Sequence, residues 1–110
     1  MTKFSFASLD GAKFEADWPV LVNVPQDGGG VDEQEFMARF RLLSEDETKA
    51  IDSEKEPQKA LLRAAVVGFG RGEEQAFSPE LLEKMMGRPY VRAALAKAYV
   101  QFSLGVSPKN

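Results

Sequence analysis

A chain of 110 residues, 44% of them hydrophobic and with a formal net charge of -3, suits one domain burying on the order of 65% of the surface its unfolded form would expose. With no cysteine and no histidine, disulfides, thiolate chemistry, Ser-His and Cys-His nucleophile pairs and the commonest metal ligand are all excluded. The mildly acidic balance argues against a nucleic-acid partner, which needs a basic footprint.

No apolar run approaches the roughly 20 residues of a membrane span, and the opening residues lack the apolar core of a signal peptide. A cytosolic protein with no membrane partner is expected. Charge is divided unevenly: residues 1–57 carry 6 basic and 13 acidic side chains, residues 58–110 carry 8 and 4. An ordinary solvated face on each half explains this; the alternative is weak head-to-tail self-association, or a basic half that steers toward an acidic partner.

Phe4 and Phe6 share one face of a short run. The Asp10-Gly11 pair has hairpin-turn chemistry, and Phe14, Ala16 and Trp18 resume a period of two. A β-hairpin is expected there, with alternation continuing through Val20, Val22 and Val24. Pro19 fits only an edge strand or a bulge. Residues 25–30, PQDGGG, then break regular structure, and no phosphate loop follows because lysine and Ser/Thr are missing.

Residues 32–43 satisfy both periods, since Phe36, Ala38, Phe40 and Leu42 alternate while Phe36, Phe40 and Leu43 have helical spacing. The preceding glycine turn favours a returning strand. Ser44 and Glu47 form a capping box, so a helix should begin at Glu45 with three acids at the positive end of its dipole. Up to Glu56 it holds only Ala50 and Ile51 as apolar residues, which predicts a surface helix of low protection. Residues 58–69 place Leu61, Leu62, Ala65, Val66 and Phe69 on one side, an amphipathic helix. The following GFGRG leads into Glu73-Glu74, a poor setting for phosphate.

The last helices have their ends spelled out. Ser78 caps, Pro79 sits at the first helical position, and Phe77 with Leu82 can close as a hydrophobic staple. Gly87 is placed to end that helix in the left-handed conformation, and Pro89 opens the next. At about 100° per residue, this last helix has two apolar faces. Tyr90, Val91, Ala94, Leu95, Ala98, Tyr99 and Phe102 make a broad one, and Ala93, Ala96, Val100 and Leu104 a narrow one. A surface helix needs one face. The narrow face is either core as well or a docking surface for a second helix, with Met85 and Met86 as adaptable neighbours.

The fold expected is α+β: a small N-terminal antiparallel sheet of about three strands followed by three or four helices. One domain would comprise a hairpin region (1–43), a helical region (44–104) and a short tail (105–110). Asp10, Glu15 and Asp17 are the carboxylates nearest a catalytic or metal pair. All three lie around a turn where acids serve solubility, so no catalytic, cofactor or metal residue is assigned.

These residues resemble a family. The Gly-aromatic-Gly turn, AFSPELL, MMGRPYVRAALAKAYVQF and the closing Pro108-Lys109-Asn110, with Trp18-Pro19-Val20, Val24-Pro25 and Phe36…Phe40-Arg41 upstream, look like the tail assembly chaperones of siphoviruses and related prophages. Phe69 departs from the tryptophan more common in that family. The resemblance implies a non-catalytic factor of the bacterial host cytoplasm, absent from the mature virion, that binds the tape measure protein and keeps it soluble until the tail tube polymerises. Implied further partners are the tail tube protein and a longer, frameshifted form of the chain itself. A rival reading is a small structural virion protein of the tail or head-tail junction.

Overall fold

The computed structural model describes residues 1–10 and 13–108. Its architecture is α+β: a three-stranded antiparallel sheet and four helices. β1 (Glu15–Pro25) and β2 (Val31–Arg41) form a hairpin in unbroken register from Glu15↔Arg41 to Pro25↔Val31. The connecting turn holds a short 3-10 segment, Asp27–Gly29, in which Gly28 and Gly29 take positive φ. Residues 32–43 thus adopt the strand alternative over Val31–Arg41. Pro19 lies on an edge strand, since β2 is central.

Alternation fixes what the sheet buries. Val20, Val22, Ala38 and Phe40 are buried on one face, with Ala16, Trp18, Val24 and Phe36 packed beside them. The far end of the hairpin, residues 25–35, is exposed. Its projection helps raise the radius of gyration to 15.1 Å, against about 13 Å for a compact chain of this length.

The strands are not all where periodicity put them. Phe4 and Phe6 do not form a strand; Phe6–Leu9 is a 3-10 turn. The N–H and Oγ of Ser8 both donate to the carbonyl of Ser5, at 3.2 and 2.7 Å. Such side-chain bonds give the backbone an alternative to pairing. Gly11 of the expected Asp10-Gly11 turn lies outside the described residues. The third strand is instead β3 (Val66–Phe69), antiparallel to β2. The amphipathic helix expected over 58–69 is α2 (Pro57–Ala65). Its continuation leaves helical geometry because Ala38, Arg39 and Phe40 offer an open edge, which β-branched Val66 and Val67 suit better than another helical turn.

α1 (Glu45–Asp52) begins with the complete capping box: Ser44 Oγ accepts the Glu47 N–H, and the Glu47 carboxylate accepts the Ser44 N–H. No residue of α1 is fully buried. α3 (Pro79–Met86) is capped by Ser78 Oγ, which accepts the Leu81 N–H at 3.1 Å. Gly87 ends it in right-handed geometry (φ -67), not the left-handed one expected. Its N–H reaches the carbonyl of Glu83 at 3.0 Å, so the turn closes helically and Pro89 starts afresh. A left-handed glycine does end the next helix, α4 (Pro89–Leu104), at Gly105.

α4 carries the core. Leu95 is fully buried, and Ala94, Ala98, Tyr99 and Phe102 nearly so. Phe102 meets four rings, those of Phe14, Trp18, Phe40 and Tyr99, at centroid distances of 5.8, 5.7, 5.6 and 6.0 Å. Phe69 of β3 packs edge-on to Phe36 and Phe77, which joins the sheet to the segment before α3. Two Arg–Glu forks brace the helices from outside: Arg63 of α2 holds Glu83 of α3 at 2.8 Å through both oxygens, and Arg41 of β2 holds Glu47 of α1 at 3.1 and 2.7 Å.

Candidate partner-binding surface

The two apolar faces of α4 meet different fates. The broad face is core, as above. On the narrow face Val100 is 52% exposed and Leu104 is 71% exposed, Ala93 is exposed and Ala96 half-buried. Neither large residue is enclosed by the rest of the chain. The face is nevertheless not one uniform strip. Ala93 lines a cleft with Leu21, Asn23, Lys97 and Gln101, between α4 and the hairpin. Leu104 is the last residue of the helix and lines a different groove.

The two methionines do not join that strip. Met86 is wholly buried, and Met85 is half-buried against the core. The reason lies in α3, where Leu82 and Met86 are four residues apart and share the inward side. Met86 is therefore a core residue, and its assignment to a contact surface is corrected.

Around Leu104 the structure gathers residues that the sequence did not mark. An open groove is lined by Phe4, Leu9, Phe14, Leu42, Phe102 and Leu104, with Lys13 and the Arg41–Glu47 pair also on its walls. Phe4, Leu9 and Phe14 are 62%, 70% and 58% exposed. Phe14 stacks on Phe102, and the N–H of Leu42 donates to its carbonyl at 2.9 Å. Isolated exposed apolar residues are ordinary; a contiguous set of them marks a contact surface. The signal available in the sequence was the aromatic density of the first 14 residues, FSFASLDGAKF, which alternation turned into a strand.

Two of the three carboxylates weighed for chemistry, Glu15 and Asp17, are held by a cation. Arg39 bridges Glu15 at 3.2 Å and Asp17 at 2.8 Å, and Asp17 also accepts the Arg71 N–H at 3.2 Å. The Arg39 guanidinium, then the Arg71 amide, hold the Asp17 carboxyl below its ordinary value. Anionic charge fixed this way braces the solvent face of the sheet. Among the described residues no group of three or more acidic side chains is placed to hold a metal ion. No helix among the described residues is long and apolar enough to cross a membrane.

No protein-family model, curated protein or solved structure matches the chain.

Proposed function

We propose that the chain is a non-catalytic tail assembly chaperone of a siphovirus or prophage, working in the bacterial cytoplasm to keep the tape measure protein soluble until the tail tube polymerises around it. The observation that carries this reading is the exposed apolar groove of Phe4, Leu9, Phe14, Leu42 and Leu104, with exposed Val100 one helical turn before Leu104. A long helical client exposes apolar stripes, and a groove walled by aliphatic and aromatic side chains can cover one of them. The sequence resemblance supplies the client's identity, and Glu15, Asp17, Glu47 and Glu83 are each engaged by arginine.

The test is co-expression with the long helical tape measure protein that this reading expects to be encoded beside the chain. The wild-type chain should shift the client into the soluble fraction and co-purify with it. Val100→Glu combined with Leu104→Glu should abolish both effects while the far-UV circular dichroism of the isolated chain stays unchanged. Solubilisation that survives both charges would move the contact elsewhere, and a client soluble without the chain would end the reading.

A further inference from the structure

Three contacts decide which way the backbone of β1 faces. Leu42 N–H donates to Phe14 C=O at 2.9 Å, so residues 14 and 42 form a hydrogen-bonded pair. Bonded and non-bonded pairs alternate along an antiparallel ladder. Pro19↔Met37, Leu21↔Glu35 and Asn23↔Glu33 are therefore non-bonded pairs. Met37 agrees from the other strand. Its N–H donates to Glu73 Oε1 at 2.7 Å and its carbonyl accepts the Gly70 N–H at 2.8 Å, both on the side away from β1.

Leu21 and Asn23 accordingly direct their N–H and C=O groups out of the sheet, on its edge. Pro19 and Pro25 belong to the same outward set, where a missing N–H costs the hairpin no ladder bond. The stretch Pro19 to Pro25 reads PVLVNVP and carries no charge. Exposed edges are ordinarily blunted by charged side chains, lysine above all. Here only the two prolines do so, one at each end. Leu21 and Asn23 border a cleft of about 370 Å³, whose α4 wall includes Ala93, Lys97 and Gln101. The edge thus borders that cleft, with α4 and Pro108 among its other walls.

We propose that this edge pairs with the same edge of a second copy, antiparallel about a twofold axis at Val22, to make a six-stranded sheet across a dimer. The spacing in the sequence is symmetric about that residue: an outward donor lies one position to either side, and a proline three positions to either side. Leu21 then faces Asn23 of the other copy as a hydrogen-bonded pair, and Asn23 faces Leu21. Beyond them Pro19 meets Pro25, where neither has a donor to lose and pairing stops. A self-complementary contact of this kind closes after two copies and builds no fibre. It uses neither Val100 nor Leu104, and so does not rest on the chaperone reading.

Light scattering and sedimentation on the full chain over a range of concentrations test this, together with amide hydrogen exchange read at Leu21 and Asn23. A reversible dimer is expected, with those two amides gaining protection as concentration rises. Asn23→Pro removes one outward donor per copy and leaves the β1–β2 ladder intact. It should weaken the dimer roughly thirtyfold with the far-UV spectrum unchanged. If Asn23→Pro does not fold, Asn23→Lys keeps the backbone donor, charges the same edge, and should likewise dissociate the dimer. A chain that remains monomeric at millimolar concentration overturns the proposal. So does a dimer that survives the folded variant, or exchange at Leu21 and Asn23 that ignores concentration.

Discussion

The phenolic oxygen of Tyr99 accepts the backbone N–H of Leu43 at 3.0 Å, tying the chain where it leaves β2 to α4. Both residues are buried, so that amide has no water to turn to. An unmatched buried donor costs about 1–3 kcal/mol. Tyr99→Phe keeps the ring against Phe40 and Phe102 and removes only the acceptor. A urea titration should report a loss of about 2 kcal/mol; an unchanged midpoint would mean that the Leu43 amide has found another acceptor.

Gly70 allows the loop after β3 to press against β2. A Cβ there would lie 2.5 Å from Met37 Cβ and 3.2 Å from Asp17 Cγ, and neither neighbour is free to withdraw. Met37 belongs to the central strand, and Asp17 is held by Arg39 and the Arg71 amide. Gly70→Ala should destabilise the chain by about 1–3 kcal/mol and speed exchange of the Met37 amide, whose bond to Glu73 depends on the same loop. Gly68→Ala is the control. Its Cβ would meet only Arg39 Cβ, at an ordinary 3.8 Å, so equal losses at both positions would refute the steric account.

What was legible in the sequence is what local chemistry decides. Ser44 with Glu47, and Ser78 with Pro79, fix helix starts through bonds spanning three residues, and both starts fall where the pattern placed them. The broad face of α4 was legible because its period holds over four turns. Val66–Phe69 was not, because its strand conformation comes from β2, far away in sequence. The candidate surface divides the same way. Val100 and Leu104 emerge from a helical wheel, whereas Phe4 and Leu9 reach Leu104 only through the path of the N-terminal segment. Met86 was misread although the clue was local, since its four-residue spacing from buried Leu82 already aimed it inward.

Acid should loosen the exterior before the core. Glu47 receives both ends of the Arg41 fork and the Ser44 N–H, which lower its carboxyl from 4.5 to about 2. Glu83 is lowered by Arg63 and Asp17 by Arg39. A carboxyl whose value is depressed by folding binds fewer protons in the folded state. The stability it contributes is present above its ordinary value and is lost as pH falls from there toward the folded one. For Glu47 that window runs from 4.5 down to about 2. The melting temperature should fall across it, and Glu47→Gln should fall less steeply than wild type. Parallel curves would show that the Arg41–Glu47 fork adds nothing to stability, an outcome that salt alone can produce at an exposed pair.

The division of α4 into a structural face and an uncovered one can be measured without any partner. Leu95 is fully enclosed and Val100 is 52% exposed, five residues apart on one helix. Leu95→Ala should cost about 3 kcal/mol through lost contacts and an unfilled cavity. Val100→Ala should stay within about 0.5 kcal/mol of wild type. Met86→Ala should group with Leu95, since its side chain is equally enclosed. If Val100→Ala proved as costly as Leu95→Ala, the narrow face would be core after all. The double glutamate variant would then fail by unfolding, and the surface assigned to the client would have to be sought in the groove around Phe4 and Phe14 alone.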